Sequence, residues 1–121
     1  GKNSVARYMD SIERLWEVIG HLNVGLCLDT CHTWAGGIPT IDAVKGFKKL
    51  VKKIDLIHFN DSKDGFESSR DRHENLGKGK IPKEELEYVI KNAKTDIIVE
   101  TPNGPDAQKK DIAWIRRRLK K

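Results

Sequence analysis

Apolar residues recur at three- and four-residue steps in four stretches of the chain, and three short apolar runs lie between them. Val5, Tyr8, Met9, Ile12, Leu15, Trp16 and Ile19 draw one stripe, which predicts a helix from Ser4 to Ile19 stopped by Gly20. Val24 to Leu28 then reads as a short strand. A Gly- and Pro-containing loop, Ala35 to Pro39, leads to Thr40, a natural N-cap. Ile41, Val44, Phe47, Leu50 and Val51 predict a second helix, and its lysine-rich end suits the negative end of the helix dipole. Asp55 to Asn60 is the second strand. The long polar stretch Asp61 to Lys80 offers almost nothing to bury, and loops of that length are usually functional or disordered. Pro82 sits at the first turn of a third helix with Leu86, Val89 and Ile90 on its apolar face. Asp96 to Glu100 is the third strand, and Asp106 caps a last helix carrying Ile112, Trp114, Ile115 and Leu119.

Strands that alternate with helices predict βαβ crossovers and a parallel α/β sheet. The 121 residues are enough for one domain. No apolar run approaches the roughly 20 residues needed to span a bilayer, so no membrane partner is expected. With 37% hydrophobic and 34% charged residues, the composition predicts a soluble globular chain. Lys and Arg number 23 against 18 Asp and Glu, and the net charge of +5 mildly favours an anionic partner such as nucleic acid. Cys27 and Cys31 form no disulfide framework, which favours an intracellular compartment: cytoplasm, nucleus or nucleoid. The chain opens on Gly1 rather than Met, so it is expected to be processed or cut from something longer.

In parallel α/β folds functional groups gather at the carboxyl ends of strands. The first strand runs into Asp29 and His32, the second carries His58, and the third ends in Glu100. Alternation puts Leu56, His58 and Asn60 on one face of the second strand, and Ile98 and Glu100 on one face of the third. The polar stretch adds Asp71 and His73. Singly, each has an ordinary reading: a bonded core histidine, a helix cap, a return to solvent. Together, imidazoles and carboxylates at three successive strand ends point to an oxygen- and nitrogen-donor metal site suited to zinc or manganese. Cys27, inside a strand, reads as a small buried hydrophobe. Gly77-Lys78-Gly79-Lys80 lacks the spacing of a phosphate-binding loop and reads as a flexible turn. Lys63, Arg70, Arg72, Lys78 and Lys80 crowd the segment that holds Asp71 and His73. Beside a metal site such cations suit phosphates.

Gly25-Leu26-Cys27-Leu28-Asp29-Thr30-Cys31-His32, followed by Ala35-Gly36, resembles one signature of the endonuclease IV family of apurinic/apyrimidinic endonucleases. His58-Phe59-Asn60-Asp61-Ser62-Lys63, Ser69-Arg70-Asp71-Arg72-His73 and Leu76-Gly77-Lys78-Gly79 resemble its other signature, and Glu100-Thr101-Pro102 resembles its closing strand end. Gly37-Ile38-Pro39 departs from the pattern. The resemblance implies a single partial TIM-barrel domain over residues 1–121, made of the C-terminal three strands of a (β/α)8 barrel and their flanking helices. It implies a DNA-repair hydrolase that cuts double-stranded DNA 5′ to abasic sites, with up to three zinc ions at the barrel mouth.

By that resemblance His32, Asp71 and His73 hold one zinc, and Asp29, His58 and Glu100 belong to a second. Asp29 and Glu100 are the residues expected to carry catalysis, while Arg72, Arg70, Lys63 and Lys78 are expected to hold DNA. The family's bridging Glu and its two further histidines have no counterpart here. The chain alone is therefore expected to incise little or not at all. The usual barrel takes about 250 residues. The missing barrel part, or a second copy, is the expected partner of the exposed sheet. Two alternatives remain at this stage: a sugar isomerase- or epimerase-like metal barrel, and a non-catalytic nucleic-acid-binding fragment.

Overall fold

The computed structural model describes residues 9–120. Val5 and Tyr8 of the expected first stripe lie outside the described residues. Helix α1 spans Met9–Ile19, with Ile12 buried and Met9 packed at the edge of the core. Strand β1, Cys27–Asp29, is followed at once by helix α2, Thr30–Gly36, and helix α3, Thr40–Leu50. Strand β2 covers Leu56–His58. Two short strands, β3 (Asp61–Ser62) and β4 (His73–Glu74), precede helix α4, Lys83–Ala93. Strand β5, Asp96–Ile98, and helix α5, Gly104–Leu119, complete the chain. No described helix is long and apolar enough to cross a membrane.

The main sheet is parallel in the order β1-β2-β5, with Leu28 beside Ile57 and Ile57 beside Ile97. A helix lies between successive strands of this sheet, as the alternating pattern predicts. The regular strands are shorter than expected. Ladder-like bonds nevertheless extend beyond them, from Asp55 N to Leu26 O and from Phe59 N to Ile98 O.

The period of two along each strand sorts the side chains cleanly. Leu28 and Ile57 face the helices and are buried with Val44, Phe47, Leu86 and Val89. On the opposite face Cys27, Asp96 and Ile98 are exposed, and Asp29, Leu56 and His58 are half-buried. Cys27 is therefore not the buried hydrophobe expected from its place in a strand. It falls on the uncovered face, where a strand position gives no burial.

Three helix starts also differ. Thr40 is the first residue of α3, not its cap; Pro39 takes that place, and the buried Thr40 Oγ1 has no hydrogen-bond partner. Pro82 caps α4 from outside the helix. Asp106 lies in the first turn of α5, while Asn103, at φ 75°, precedes the helix.

The largest correction concerns the polar stretch. Asp61, Ser62, Asn75 and Leu76 are buried, and β3 and β4 pair antiparallel, Asp61 with Glu74 and Ser62 with His73. The Asp61 carboxylate organises the segment. Its Oδ1 accepts from Ser62 N at 2.8 Å and Ile81 N at 3.1 Å, and its Oδ2 accepts from Gly77 N and Gly79 N, both at 3.0 Å. Burial pushes this carboxyl above the ordinary carboxylate range, and the four amides oppose that shift. A Cβ at Gly79 would collide with Ser62 O and the Asp61 carboxylate, so the approach requires glycine. The Gly-Lys-Gly-Lys turn is thus anchored rather than flexible.

A second buried carboxylate ties α5 to the same turn: Asp111 accepts from Asn75 Nδ2 at 2.8 Å and from Leu76 N at 2.9 Å. Asp61→Asn keeps one acceptor oxygen and turns an amide group toward two N–H donors. It should destabilise the chain by about 2–4 kcal/mol, read from chemical denaturation followed by circular dichroism.

Candidate metal centre

The expected ligands meet at one end of the parallel sheet. Asp29 closes β1 and also caps α2, its Oδ1 accepting from His32 N at 3.0 Å. The cap sets His32 in the first turn of α2. His58 stands on the open face of β2, beside Asp29 in register. Glu100 follows β5, and its backbone is fixed from the neighbouring strand end, where Glu100 N donates to Asn60 Oδ1 at 2.8 Å. Asn60 is itself clipped to Thr30: Asn60 N donates to Thr30 Oγ1 at 2.8 Å, and Thr30 Oγ1 donates to Asn60 O at 2.6 Å.

Asp71 and His73 arrive from the hairpin. The end of α2 grips the connecting loop, with Glu67 N donating to Trp34 O, Ser69 N to Ala35 O, and Trp34 Nε1 to Asp64 O. Phe66 lies edge-on against Trp34 with ring centroids 5.1 Å apart.

These side chains form a continuous network. His58 Nδ1 is 3.3 Å from Glu100 Oε1 and 3.9 Å from Asp29 Oδ2. His73 Nε2 is 3.6 Å from both Asp29 Oδ2 and Asp71 Oδ1. His32 Nδ1 is 3.3 Å from Asp71 Oδ2. The structure thus brings together every residue named above as a ligand. It does not separate them into two isolated triads, because His73 touches members of both.

The second ring nitrogen of His73 is also accounted for. His73 Nδ1 lies 2.9 Å from Glu100 O, a carbonyl that can only accept, so Nδ1 carries the hydrogen. Nε2 then faces Asp29 Oδ2 and Asp71 Oδ1. A histidine prepared for a metal shows this arrangement, one nitrogen held by a backbone carbonyl and the other aimed at shared carboxylates.

The electrostatics divide the two aspartates. Burial pushes the Asp29 carboxyl above its ordinary range, against the pull of the His32 amide and the neighbouring imidazoles. Asp71 goes the other way, lowered chiefly by its hydrogen bond to His32. Two sets of donor atoms lie within 4.8 Å of one another: Asp29, His73 and Glu100, and Cys31, Asp71 and His73. The first is an oxygen and nitrogen set fit for zinc or manganese. Sequence reasoning left Cys31 aside, along with the positioning roles of Asn60 and Asp61. A polar residue directly after an apolar strand was the available signal for Asn60 and Asp61. For Cys31 the only signal was adjacency to His32.

Lys63, Arg70, Arg72 and Lys78 are exposed, and the charges of Arg72, Arg70 and Lys63 act on Asp64. Arg72 is held in a bidentate pair with Asp64, at 2.8 Å from Nε and 2.7 Å from Nη2. This guanidinium keeps the Asp64 carboxyl below its usual range. The Gly77 and Gly79 amides are committed to Asp61, which accounts for the lack of a phosphate cradle there.

Residues 2–118 match the family model described as a xylose isomerase-like TIM barrel. Proteins named probable endonuclease 4 from Mycobacterium tuberculosis and Mycobacterium ulcerans are 48% identical over 118 residues and 45% identical over 119 residues. Each alignment covers 98% of this chain and 46% of the relative, so the chain spans about half the length of the curated relatives it matches. The crystal structure of endonuclease IV from Thermus thermophilus superposes with a TM-score of 0.78 at 27% identity, covering 99% of this chain and 46% of that one. A xylose isomerase domain protein from Alicyclobacillus acidocaldarius shares the fold, with a TM-score of 0.62 at 22% identity over 93% of this chain and 42% of that one.

In the metal-free chain Asp29 should take up its proton at higher pH than Asp71, read as the order of the two carboxyl-carbon transitions in an NMR titration. The signs for stability are opposite. Asp71, lowered, contributes stability present above the ordinary carboxylate range and lost as pH falls through its own depressed value. Asp29, raised, costs stability near neutrality that is recovered as pH falls through its raised value.

Proposed function

This chain belongs to the xylose isomerase-like TIM-barrel family, with endonuclease 4 proteins among its relatives, and from that premise we propose that it is the strand-end portion of a zinc-dependent endonuclease acting on abasic DNA. Residues 1–121 form one partial barrel domain in this reading, supplying the last three strands and their helices. The observation that carries the proposal is the continuous imidazole–carboxylate network at the strand ends.

His32, Asp71 and His73 would hold one zinc, and Asp29, His58 and Glu100 would contribute to a second. Bound zinc supplies Lewis-acid neutralisation of charge on the phosphoryl and leaving oxygens. The chain's own residues prepare the rest. Glu100 O accepts from His73 Nδ1, which orients the ring with Nε2 toward Asp29 and Asp71. Glu100 Oε1 and Asp29 Oδ2 flank His58 Nδ1 and orient that ring on the open face. Asp29 and Glu100 are the residues proposed to carry catalysis.

Arg72, Arg70, Lys63 and Lys78 hold the backbone of double-stranded DNA. Such contacts position a substrate without reading its bases. Selectivity then comes from the low cost of extruding a nucleotide that has no base to unstack. The chain works where DNA is held inside the cell. The rest of the barrel, rather than a second copy, is the partner of its open face, because curated relatives continue for a further half of their length.

The test is a chimera in which this chain replaces the aligned 118 residues of the M. tuberculosis relative. It should cut an abasic duplex and spare the intact one, lose activity on chelation and recover it with zinc. His58→Ala should lower kcat by at least about a hundredfold, the scale of deleting a group that acts on the transition state. The isolated chain should incise neither duplex. A folded chimera that isomerises a ketose and leaves abasic DNA intact would transfer the assignment to the sugar-isomerase reading.

A further inference from the structure

Cys31 is the second residue of α2 and its side chain is fully buried. Its Sγ, a carboxylate oxygen of Asp71 and a ring nitrogen of His73 all lie within 4.8 Å of one another. The three atoms come from three places in the fold: the start of α2, the segment leading into β4, and β4 itself. A tetrahedral ion with bonds of about 2.0–2.3 Å sets its ligands about 3.3–3.8 Å apart, so these donors need to close by at most about 1.5 Å. Asp71 and His73 are partly exposed, whereas Cys31 is fully buried.

We propose that Cys31, Asp71 and His73 form a thiol-containing site for a soft divalent cation of the cadmium type. This goes beyond the endonuclease reading, which uses oxygen and nitrogen donors and assigns Cys31 no role. The site shares Asp71 and His73 with that proposed zinc centre, so the two ions exclude each other. Thiolate donors select soft cations where carboxylates and imidazoles do not. As the sulfur–cadmium bond forms, the S–H bond breaks and its proton passes to solvent, with no change of oxidation state. The Cys27 thiol lies on the exposed face of the sheet and serves as an internal control.

The experiment titrates the metal-free 121-residue chain with cadmium chloride and follows the ultraviolet sulfur-to-cadmium charge-transfer absorption. The band should saturate at about one cadmium per chain, the capacity of a single closed site. It should disappear in Cys31→Ser, persist in Cys27→Ser, and need at least about tenfold more cadmium in His73→Ala, as loss of a supporting ligand requires. Absence of the band in the folded, unsubstituted chain would overturn the proposal. So would a band that survives Cys31→Ser or vanishes in Cys27→Ser.

Should Cys31→Ser fail to fold, cadmium–proton NMR correlations in the unsubstituted chain decide the matter. Correlations to the Cys31 β-protons support the site, and correlations only to those of Cys27 refute it. None of these readings depends on DNA cleavage, so failure of the endonuclease assignment and failure of this site are distinguishable.

Discussion

A single buried carboxylate holds together the part of the molecule that sequence pattern leaves blank. Asp61, the first residue of β3, is fully buried and gathers four backbone amides from residues 62 to 81. Those bonds fold the polar stretch back on itself, seat Ile81 before α4, and leave β4 in place opposite β3. His73 stands on β4, and so its position relative to Asp29 and Glu100 is inherited from Asp61. The ligand network and the buried frame are therefore one construction. A carboxylate excluded from water and satisfied by fixed amides is strongly position-specific, because any displacement leaves charge or N–H groups unpaired.

The sheet supplies the other half of the geometry. Parallel pairing puts Asp29, His58 and Ile98 in one row across three strands, and the alternation of faces sends Asp29 and His58 to the side without helices. A covered face carries Leu28 and Ile57, and the uncovered one carries chemistry. Thr30 and Asn60 lock the ends of adjacent strands, and Asn60 then fixes Glu100. Local hydrogen bonding of this kind sets donor atoms more closely than packing of flexible side chains would. Ile98 on β5 and Ile112 and Leu119 on α5 are exposed.

Periodicity made α3, α4, α5 and the three main strands legible, because each has apolar residues at a spacing that matches its geometry. The candidate ligands were legible for a related reason: strand ends in a parallel sheet converge, so a polar residue after an apolar run is already placed. Helix α2 was not visible. Thr30, Cys31, Thr33, Trp34, Ala35 and Gly36 are all buried, so there is no polar face to give the segment a period. Its start is set by Asp29, which sequence reasoning had weighed as ligand or cap; here the two carboxylate oxygens divide, one capping α2 and the other facing His58 and His73. The β3–β4 pair was hidden because its two-residue strands are polar and joined across ten residues. Cys27 shows the converse limit: lying in a strand does not tell which face a residue takes until the helices are placed.

The central claim is that this frame assembles a metal-binding cluster within the chain itself. Zinc content after dialysis against metal-free buffer, with circular dichroism to establish folding, tests it most directly. About one zinc should be retained per folded chain and lost in His73→Ala while the helical signal remains. A folded chain that retains no zinc, or retains it equally after His73→Ala, would contradict it.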